Sequence, residues 1–411
     1  MESASYLITI VQYVLIGIML LVVVLLSGYA AFICITLFNR RQLKRRDMVW
    51  LELTPPASIA KTPEATVQLF SVVHGLRAAR HIKDKLLGRT PVMSLEIVST
   101  KCDGIRYLMQ VEHNRSDNLQ KAIVAYVPDA KVKVVDYDPR EAGQVLEFKQ
   151  DNHYVLPLTL TKGFEQHDPL SYVTAAMTKL SDNEQITMQL VIMPVKLNEA
   201  VRLSRRILGN EDILRRVQRG HFSGFSRVSE VFGSAMLGAT DLVGEVYNGT
   251  TASYHADKSN KDAQFQAQVM KRQRPARTLS AFELELMESM HQKVTQPLFQ
   301  VSLRIIVTSG QCKHHLATLR SALDSYSVPP YQALRAKTRL PLLKNYRAKL
   351  ATQRLPNLFQ KQSLILSAAE LASLYHFPSS KISKTDNLVT SLSRTLPAPV
   401  SLKQNKIFDV V

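Results

Sequence analysis

The pattern of hydrophobic and polar positions begins with one long apolar run at the N-terminus. No charged residue lies between Ser3 and Asn39, and the heart of this stretch, Val14–Leu37, is almost entirely apolar. About 20 apolar residues in a helix cross a bilayer core that is about 30 Å thick. The pattern therefore predicts a membrane-spanning helix. A secretory signal peptide is disfavoured, because its basic residues would precede the apolar run and its core would be shorter.

Five basic residues follow this run within seven positions, whereas the tail before it carries only Glu2. They are Arg40, Arg41, Lys44, Arg45 and Arg46. Positive charge tends to stay on the cytoplasmic side of a span, so this asymmetry predicts a single-pass protein with its N-terminus outside and its bulk in the cytoplasm. We assign residues 1–47 to a transmembrane anchor with a basic collar, whose side chains lie at the membrane interface beside the lipid headgroups.

Residues 48–150 show strand and helix patterns in the order βαββαβ. The predicted strands are Val49–Leu53, Val92–Thr100, Ile105–Glu112 and Lys131–Val135. The first helix has a clear start signal, because Thr62 can cap it and Pro63 fits its first turn. Asp103-Gly104 predicts the tight turn between the two middle strands, and apolar residues at helical spacing predict a second helix that ends near Tyr126. The order predicts a ferredoxin-like α+β domain.

The same order recurs over residues 151–338, with a long insertion at about residues 196–295. The elements predicted there are strands Tyr154–Thr161, Gln185–Pro194, Phe299–Thr308 and Tyr331–Ala336, and helices that begin at Pro169 and Cys312. Helices near Leu197–Leu208 and Ala281–Lys293 are predicted inside the insertion. Its segment Val228–Tyr247 is apolar, but Asp241 and Glu245 argue against a second membrane span. The pattern predicts a second ferredoxin-like unit that carries a helical insertion.

The chain is strongly basic, and much of the excess lies near its C-terminus. Lys and Arg number 52 against 34 Asp and Glu, which gives a net charge of +18. Residues 330–411 carry 13 Lys and Arg against three Asp and Glu. We assign residues 339–411 to a basic linker with one short helix, for which Ser367 and Glu370 form a predicted capping box. Such an excess is typical of a protein beside an anionic neighbour, either nucleic acid or a membrane surface.

The run 335–354 holds the candidate contacts for that neighbour. They are Arg335, Lys337, Arg339, Arg347 and Lys349. Contact with DNA would be electrostatic and non-specific, because the run has no recognisable base-reading motif. Contact with lipid headgroups is a second interpretation, and solvated faces beside an anionic membrane are a third. The sequence leaves these three interpretations open.

No catalytic or metal-binding motif is present in the sequence. The phosphate-binding pattern GxxxxGK[ST], the dinucleotide pattern GxGxxG, the GxSxG elbow and the HExxH zinc motif are all absent. The three cysteines, Cys34, Cys102 and Cys312, are too scattered for a disulfide framework or a thiolate zinc site. His314 and His315 are adjacent, and neighbouring side chains on a helix do not face one metal together. We therefore expect no enzyme activity, no cofactor and no metal.

Several segments resemble the membrane-proximal region of coupling-protein ATPases from bacterial conjugation and type IV secretion systems. They are Thr54–Arg80, Pro91–Val111, Tyr154–Ile192, Leu366–Pro378 (LSAAELASLYHFP) and Leu396–Pro399 (LPAP). In that family an anchor and an α+β region precede a hexamer-forming P-loop motor that engages DNA or protein. The resemblance implies a bacterial inner (plasma) membrane, a homo-oligomer and a P-loop ATPase partner. Because the sequence ends where that motor would begin, we expect the motor in a C-terminal continuation or in a separate chain.

Two classes of function follow from these patterns. The first is a non-catalytic, membrane-anchored component, or N-terminal part, of a DNA-transfer or type IV secretion machine. Such a component tethers a P-loop motor at the cytoplasmic face and helps it assemble. The alternative is a membrane-attached scaffold for another cytoplasmic complex, with no nucleic-acid role. A P-loop encoded directly downstream in the genome would favour the first class.

Overall fold

The computed structural model describes residues 2–44, 46–55, 63–75, 90–127, 130–140, 142–158, 168–208, 280–327, 331–337, 344–357 and 363–377. The chain forms two compact units. The first comprises residues 1–42 and 205–291, and the second comprises residues 43–204 and 292–411.

The first unit contains most of helix α1 (Glu2–Lys44). Within this helix, Val22–Leu43 is long and apolar enough to cross a membrane, and no other helix in the described part of the chain is. The apolar side chains of this stretch are largely uncovered, and Val24 and Leu26 are each 62% exposed. The predicted single apolar helix of spanning length is therefore confirmed.

The second unit is built on an antiparallel sheet. Its strands are β1 (Met48–Thr54), β2 (Met93–Thr100), β3 (Gly104–Glu112), β4 (Lys131–Val135), β5 (Gln144–Gln150), β6 (Gln185–Val195), β7 (Leu298–Thr308), β8 (Leu334–Ala336) and β9 (Ile365–Ser367). The strand order is β4-β1-β3-β2-β6-β7-β5-β8, and β9 pairs with β7. Every recorded pairing between neighbouring strands is antiparallel.

Eight further helices occur in the described residues. They are α2 (Pro63–Gly75), α3 (His113–Tyr126), α4 (Pro169–Ala176), α5 (Asn198–Leu208), α6 (Ala281–Thr295), α7 (Cys312–Asp324), α8 (Lys344–Thr352) and α9 (Ala368–Leu374). The two long helices of the predicted insertion are thus found as α5 and α6. The apolar segment Val228–Tyr247 lies outside the described residues.

The sheet consists of two halves with the same connectivity. In the first half, β1–α2–β2–β3–α3–β4 gives the order β4-β1-β3-β2. In the second half, β5–α4–β6–β7–α7–β8 gives the same order in reverse, and α5 and α6 lie between β6 and β7 in sequence. The halves join at β2 and β6, where Leu95 pairs with Leu190 and Ile97 with Met188. The predicted mixed α+β class is confirmed.

One face of the sheet carries the main hydrophobic core. Successive strand residues point to opposite faces, so every second residue of each strand contributes to this core. The helices contribute through residues such as Phe70 of α2, Ile123 of α3, Val173 of α4, Leu319 of α7 and Leu371 of α9. Burial of each such side chain stabilises the fold by about 1.5–3 kcal/mol. The helices therefore bind both halves through one face and leave the opposite face for other contacts.

Local start and turn signals are confirmed where the structure describes them. Helix α2 begins at Pro63, and Gly104 turns the chain between β2 and β3 with a φ of 68°. Ser367 and Glu370 form the predicted capping box at the start of α9, with both of its hydrogen bonds. These signals depend on short stretches of sequence, which is why they were predictable.

The strand predicted at Tyr154–Thr161 is wrong. Residues 154–158 form turns, and residues 159–161 lie outside the described residues. The first strand of the second half is β5, which precedes that segment. Its segment Leu146-Glu147-Phe148-Lys149 alternates apolar and polar residues, which is a strand signal that the sequence-based prediction overlooked.

Candidate functional site, a polar row and an adjoining groove

A row of polar residues crosses the face of the sheet opposite to the main core. Glu96 on β2 lies opposite Gln189 on β6, which lies opposite Arg304 on β7. Arg304 lies opposite Glu147 on β5, and the line ends at Lys337, directly after β8. All five residues, called the polar row below, are buried. Cross-strand register therefore brings together residues from distant parts of the sequence.

Hydrogen bonds and an ion pair run along the polar row. Gln189 donates from Nε2 to Glu96 Oε1 at 2.9 Å, and its Oε1 accepts from Arg304 Nη1 at 3.0 Å. An amide can serve both neighbours, because it has both donor and acceptor atoms. Lys337 donates from Nζ to Glu147 Oε1 at 2.8 Å. Buried charges persist when they are paired and hydrogen-bonded in this way.

The polar row balances two carboxylates against two cations. Burial lowers the pKa of Arg304 and of Lys337, because a low-dielectric environment disfavours their charged forms. The carboxylate of Glu147 opposes this shift in the pKa of both residues. The charges of the polar row are therefore directed at one another.

Helix α8 and the loop after it cover part of the polar row. The backbone oxygen of Ala351 accepts from Gln189 Nε2 at 3.0 Å, and that of Leu355 accepts from Arg304 Nη2 at 2.8 Å. The hydroxyl oxygen of Thr352 accepts from the backbone N–H of Ala142 at 3.3 Å. Two backbone oxygens and one hydroxyl group of the C-terminal basic segment therefore hold this segment against the sheet.

Arg354 ends α8 in a backbone conformation that favours glycine. Its φ is 50°. Its N–H donates to Ala351 O at 3.1 Å, and the next N–H donates to Leu350 O at 2.9 Å, which is the Schellman pattern of a helix C-terminus. A left-handed conformation costs a residue with a side chain about 1–2 kcal/mol. The Arg354 side chain offsets this, since Nη2 donates to Glu96 Oε2 at 3.3 Å and the guanidinium lies 4.7 Å from the Trp50 ring centre.

A groove of about 620 Å³ adjoins the polar row at Arg354. It is lined by Leu43 near the end of α1, by residues 46–48, which follow α1, by residues 352–355, and by Val92 and Gln110. Its lining therefore mixes apolar side chains with two guanidinium groups, those of Arg46 and Arg354. One carboxylate, that of Asp47, is also present.

The residues directly after α1 are held against the sheet. The apolar residues that pack with Leu43 are Val92, Val191 and Met193. Arg46 forms an ion pair with Glu112, and the backbone N–H of His113 donates to Asp47 O at 3.0 Å. Apolar packing, an ion pair and a backbone hydrogen bond therefore hold Leu43, Arg46 and Asp47 against the sheet. These three residues are called the junction below.

The predicted collar residues lie at the end of α1 and directly after it. Arg41 is exposed, and Arg46 is half-buried in the junction. The side chains of Arg40 and Lys44, and the whole of Arg45, lie outside the described residues.

The predicted contact residues of the C-terminal segment have different surroundings. Lys337 is buried in the polar row, whereas Arg335 is exposed. On α8, Lys349 is exposed and Arg347 is half-buried. Arg339 lies outside the described residues. The four residues that are described therefore do not form one exposed basic patch.

Sequence reasoning missed five residues of the site, Glu96, Gln189, Arg304, Glu147 and Arg354. A signal was available for the first three. Each is a polar residue with an apolar residue on either side, in the segments LEI, MQL and LRI. A polar residue in a strand that is buried on both faces must have a partner.

Other chemistry-bearing residues give no metal site in the described part of the chain, where no group of three His, Cys, Asp or Glu could hold an ion. His315 Nε2 lies 3.7 Å from Glu184 Oε2, and the rings of His314 and His315 are 6.0 Å apart. The three cysteines are free thiols.

Comparison with known proteins gives a family but no characterised relative. No curated protein matches the chain. One family model matches residues 40–389, a range that contains the sheet, the polar row and the groove. The match covers most of the sequence, and the chain therefore belongs to the family described as Domain of unknown function (DUF8128).

Proposed function

We propose that this protein is a non-catalytic, membrane-anchored assembly component that holds its sheet at the cytoplasmic face of a bacterial inner membrane. The observation that carries the proposal is the junction after α1, where Leu43, Arg46 and Asp47 are fixed to the sheet. Because Leu43 already packs against the sheet, no long flexible linker separates the end of α1 from the sheet.

Chain length supports the same proposal. Three residues separate the end of α1 at Lys44 from the start of β1 at Met48. Fully extended chain spans at most about 3.6 Å per residue, so this connection reaches about 14 Å. If α1 spans the membrane, β1 begins close to the headgroup region.

The orientation follows from the collar. Positive charge after the span and Glu2 alone before it favour an outside N-terminus. In a variant whose three natural cysteines are replaced by serine, a new cysteine near the N-terminus is then labelled in intact cells by a membrane-impermeant reagent. A new cysteine near residue 60 is not labelled. The reverse labelling pattern contradicts this orientation.

We interpret each half of the sheet as a ferredoxin-like unit. The connectivity βαββαβ with the order β4-β1-β3-β2 and helices packed on one face is the arrangement of such a unit. The two halves join edge to edge at β2 and β6 and form one broad sheet. A broad sheet suits a scaffold.

The more specific proposal is that the machine served is a DNA-transfer or type IV secretion system. It rests on the resemblance of Thr54–Arg80, Tyr154–Ile192 and Leu366–Pro378 to coupling-protein ATPases. The expected partner is a P-loop ATPase motor, encoded in a C-terminal continuation or in a separate chain, and the expected assembly is a homo-oligomer. Non-specific DNA contact is assigned to exposed basic residues such as Arg335 and Lys349.

The test compares DNA transfer in host cells that lack the gene with cells that regain it. The full chain should restore transfer and, after cross-linking, co-purify with a P-loop ATPase. A matched variant that lacks residues 2–39 should do neither, although it keeps the whole sheet.

Two results overturn parts of the proposal. Unchanged DNA transfer in the deletion strain rejects the secretion-machine role and leaves the membrane-attached scaffold. Release of the full chain from membranes by an alkaline wash rejects the anchor itself.

A further inference from the structure

We propose that the groove beside Arg354 binds the phosphate headgroup of an anionic glycerophospholipid. This inference rests on the membrane anchoring in the proposed function, and it adds a ligand site that the collar alone does not provide.

The position of the groove along the chain supports a lipid. Leu43 is the last residue of the spanning stretch Val22–Leu43 and also part of the groove lining. Arg46, Asp47 and Met48, which follow within five positions, line it as well. A cavity lined by the residue that ends a membrane span opens at the depth of the lipid headgroups.

The lining chemistry matches a phosphodiester attached to an apolar body. Arg46 and Arg354 contribute guanidinium groups, which match phosphate geometry with two N–H donors at once. Gln110 and Gln353 add amide donors. Leu43 and its neighbours Met48, Val92 and Leu355 offer apolar surface for the glycerol and the first methylene groups. A free anion would use only the polar part of this lining.

Arg354 retains unused capacity to donate. Nη1 donates to Thr352 O at 2.6 Å, Nη2 donates to Glu96 Oε2 at 3.3 Å, and Nε lies 2.9 Å from Glu96 Oε1 in an ion pair, so the second N–H of each Nη is what remains of the five guanidinium donors. The strained φ of 50° holds this guanidinium at the groove. Strained backbone that is maintained at a cavity is typical of a binding site.

Positive potential from the collar favours an anionic lipid over a zwitterionic one. In the lining itself, Asp47 contributes one carboxylate, and each guanidinium group has a carboxylate partner, Glu112 for Arg46 and Glu96 for Arg354. The collar residues Arg40, Arg41, Lys44 and Arg45 precede Arg46 directly and add positive potential in the same stretch of chain. Each basic residue near an anionic leaflet strengthens the attraction.

The experiment titrates the full chain in mild detergent with short-chain phosphatidylglycerol or with phosphatidylcholine of the same chain length. Trp50 is the single tryptophan of the sequence, and Arg354 lies over its ring, so its fluorescence reports on this site. Phosphatidylglycerol should give a saturable change at concentrations about tenfold lower than phosphatidylcholine does, as expected for a site that recognises net charge.

Two charge variants test the location of the site. Gln353→Glu adds a negative charge at an exposed groove residue, and we expect about fivefold weaker phosphatidylglycerol binding, the effect of one unit charge near an anionic headgroup. Gln68→Glu is the matched control, because Gln68 is exposed on α2, which packs on the opposite face of the sheet. It should leave the titration unchanged.

Several outcomes would overturn the inference. Equal responses to the two lipids, or equal effects of the two variants, reject the groove as a headgroup site. The same fluorescence change with inorganic phosphate alone, or with a DNA duplex, reassigns the groove to a free anion or to nucleic acid. None of these results would change the fractionation of the full chain with membranes. Failure of the proposed membrane anchor would instead appear as release of the chain by an alkaline wash.

Discussion

His376 Nε2 lies 3.0 Å from Asp168 Oδ2, although 208 positions separate the two residues in sequence. Both side chains are buried, each with 4% of its surface exposed. His376 Nδ1 lies 2.9 Å from Ala372 O, and Asp168 Oδ1 accepts from the N–H of Leu170 at 2.8 Å. The pair therefore joins the end of α9 to the start of α4, which Asp168 caps.

We predict that Asp168→Ala destabilises the full chain by about 2–5 kcal/mol, the sum of a lost helix cap and a buried imidazole left without its partner. The measurement is urea unfolding in detergent, followed by Trp50 fluorescence. Asp182→Ala is the control, because Asp182 pairs with Lys101 at the surface and its loss should have no measurable effect. Equal effects of the two substitutions would show that the buried pair adds no stability.

The ion pair between Lys337 and Glu147 gives a second prediction. Lys337→Gln should cost about 3–5 kcal/mol, because it breaks the buried ion pair of the Glu147 carboxylate, whose remaining opposite charge is then the cross-strand Arg304. Arg335→Gln, two positions earlier, should cost less than about 1 kcal/mol, because Arg335 pairs with Asp151 at the surface. The same unfolding assay distinguishes them.

A double variant isolates the cause. Lys337→Met combined with Glu147→Leu should recover most of the lost stability, since a hydrophobic pair of similar volume replaces a buried ion pair well. If the double variant is as unstable as Lys337→Gln, packing and not charge explains the loss. A nucleic-acid binding test of the basic segment should therefore leave Lys337 intact.

The left-handed backbone of Arg354 gives a third prediction. Arg354→Ala and Arg354→Gly both remove the contact with Glu96, but only glycine relieves the strained φ. We expect Arg354→Gly to be more stable than Arg354→Ala by about 0.5–1 kcal/mol, after the extra freedom of glycine in the unfolded chain is subtracted.

Lys179 provides the matched comparison for Arg354. It is exposed and has a φ of 59°. Lys179→Gly should therefore raise stability by about 0.5–1 kcal/mol in the same assay. A loss of stability at Lys179, or glycine no better than alanine at Arg354, would contradict the claim that strain is stored at these positions.

The elements that the sequence predicted well depend on local signals. Pro63, Gly104 and the capping box of Ser367 and Glu370 act within a few residues, so their effects could be worked out before the fold was known. Glu370 makes further contacts besides those of the capping box. Its carboxylate also accepts from the backbone N–H of Leu158 at 2.6 Å and pairs with Lys293 at 2.9 Å.

The polar row could not be predicted, because its contacts depend on register between distant strands. Glu147 and Lys337 are 190 positions apart in sequence.

Once the register is known, a correspondence between the halves appears. Glu52 lies opposite Lys133 in the first half, as Glu147 lies beside Lys337 in the second. The two halves thus place the same residue types at equivalent positions, within Leu-Glu-Leu in β1 and Leu-Glu-Phe in β5.

Glu184 is the residue for which we predict a pH-dependent contribution to folding stability. Its carboxylate accepts from the Ser309 hydroxyl and from the backbone N–H of Ser181 at 2.8 Å, and it lies near His315. These contacts, the Ser309 hydrogen bond first, lower the pKa of Glu184 below its ordinary value. The residue therefore ties the start of β6 to the turn between β7 and α7 more strongly when it is ionised.

The sign of the effect follows from linkage. Between the lowered pKa of Glu184 in the folded state and its ordinary pKa of about 4.3, the unfolded chain binds more protons, so stability rises with pH. The contribution of Glu184 is complete above that ordinary value and is lost as the pH falls through the folded-state pKa. Glu184→Gln imitates the protonated form, so it should be less stable than the natural chain at pH 7, and the difference should shrink as the pH falls below about 4.3.

Ser309→Ala tests whether the Ser309 hydrogen bond is the main cause of the lowered pKa of Glu184. It removes the main hydrogen bond that lowers the pKa of Glu184, so the loss of stability on acidification should still begin near the ordinary pKa of about 4.3 but should be smaller and end at a higher pH than in the natural chain. Urea unfolding at a series of pH values measures all three proteins. If the stability difference between Glu184→Gln and the natural chain stays constant through the acid range, the ionised carboxylate is not the group that holds β6 to this turn.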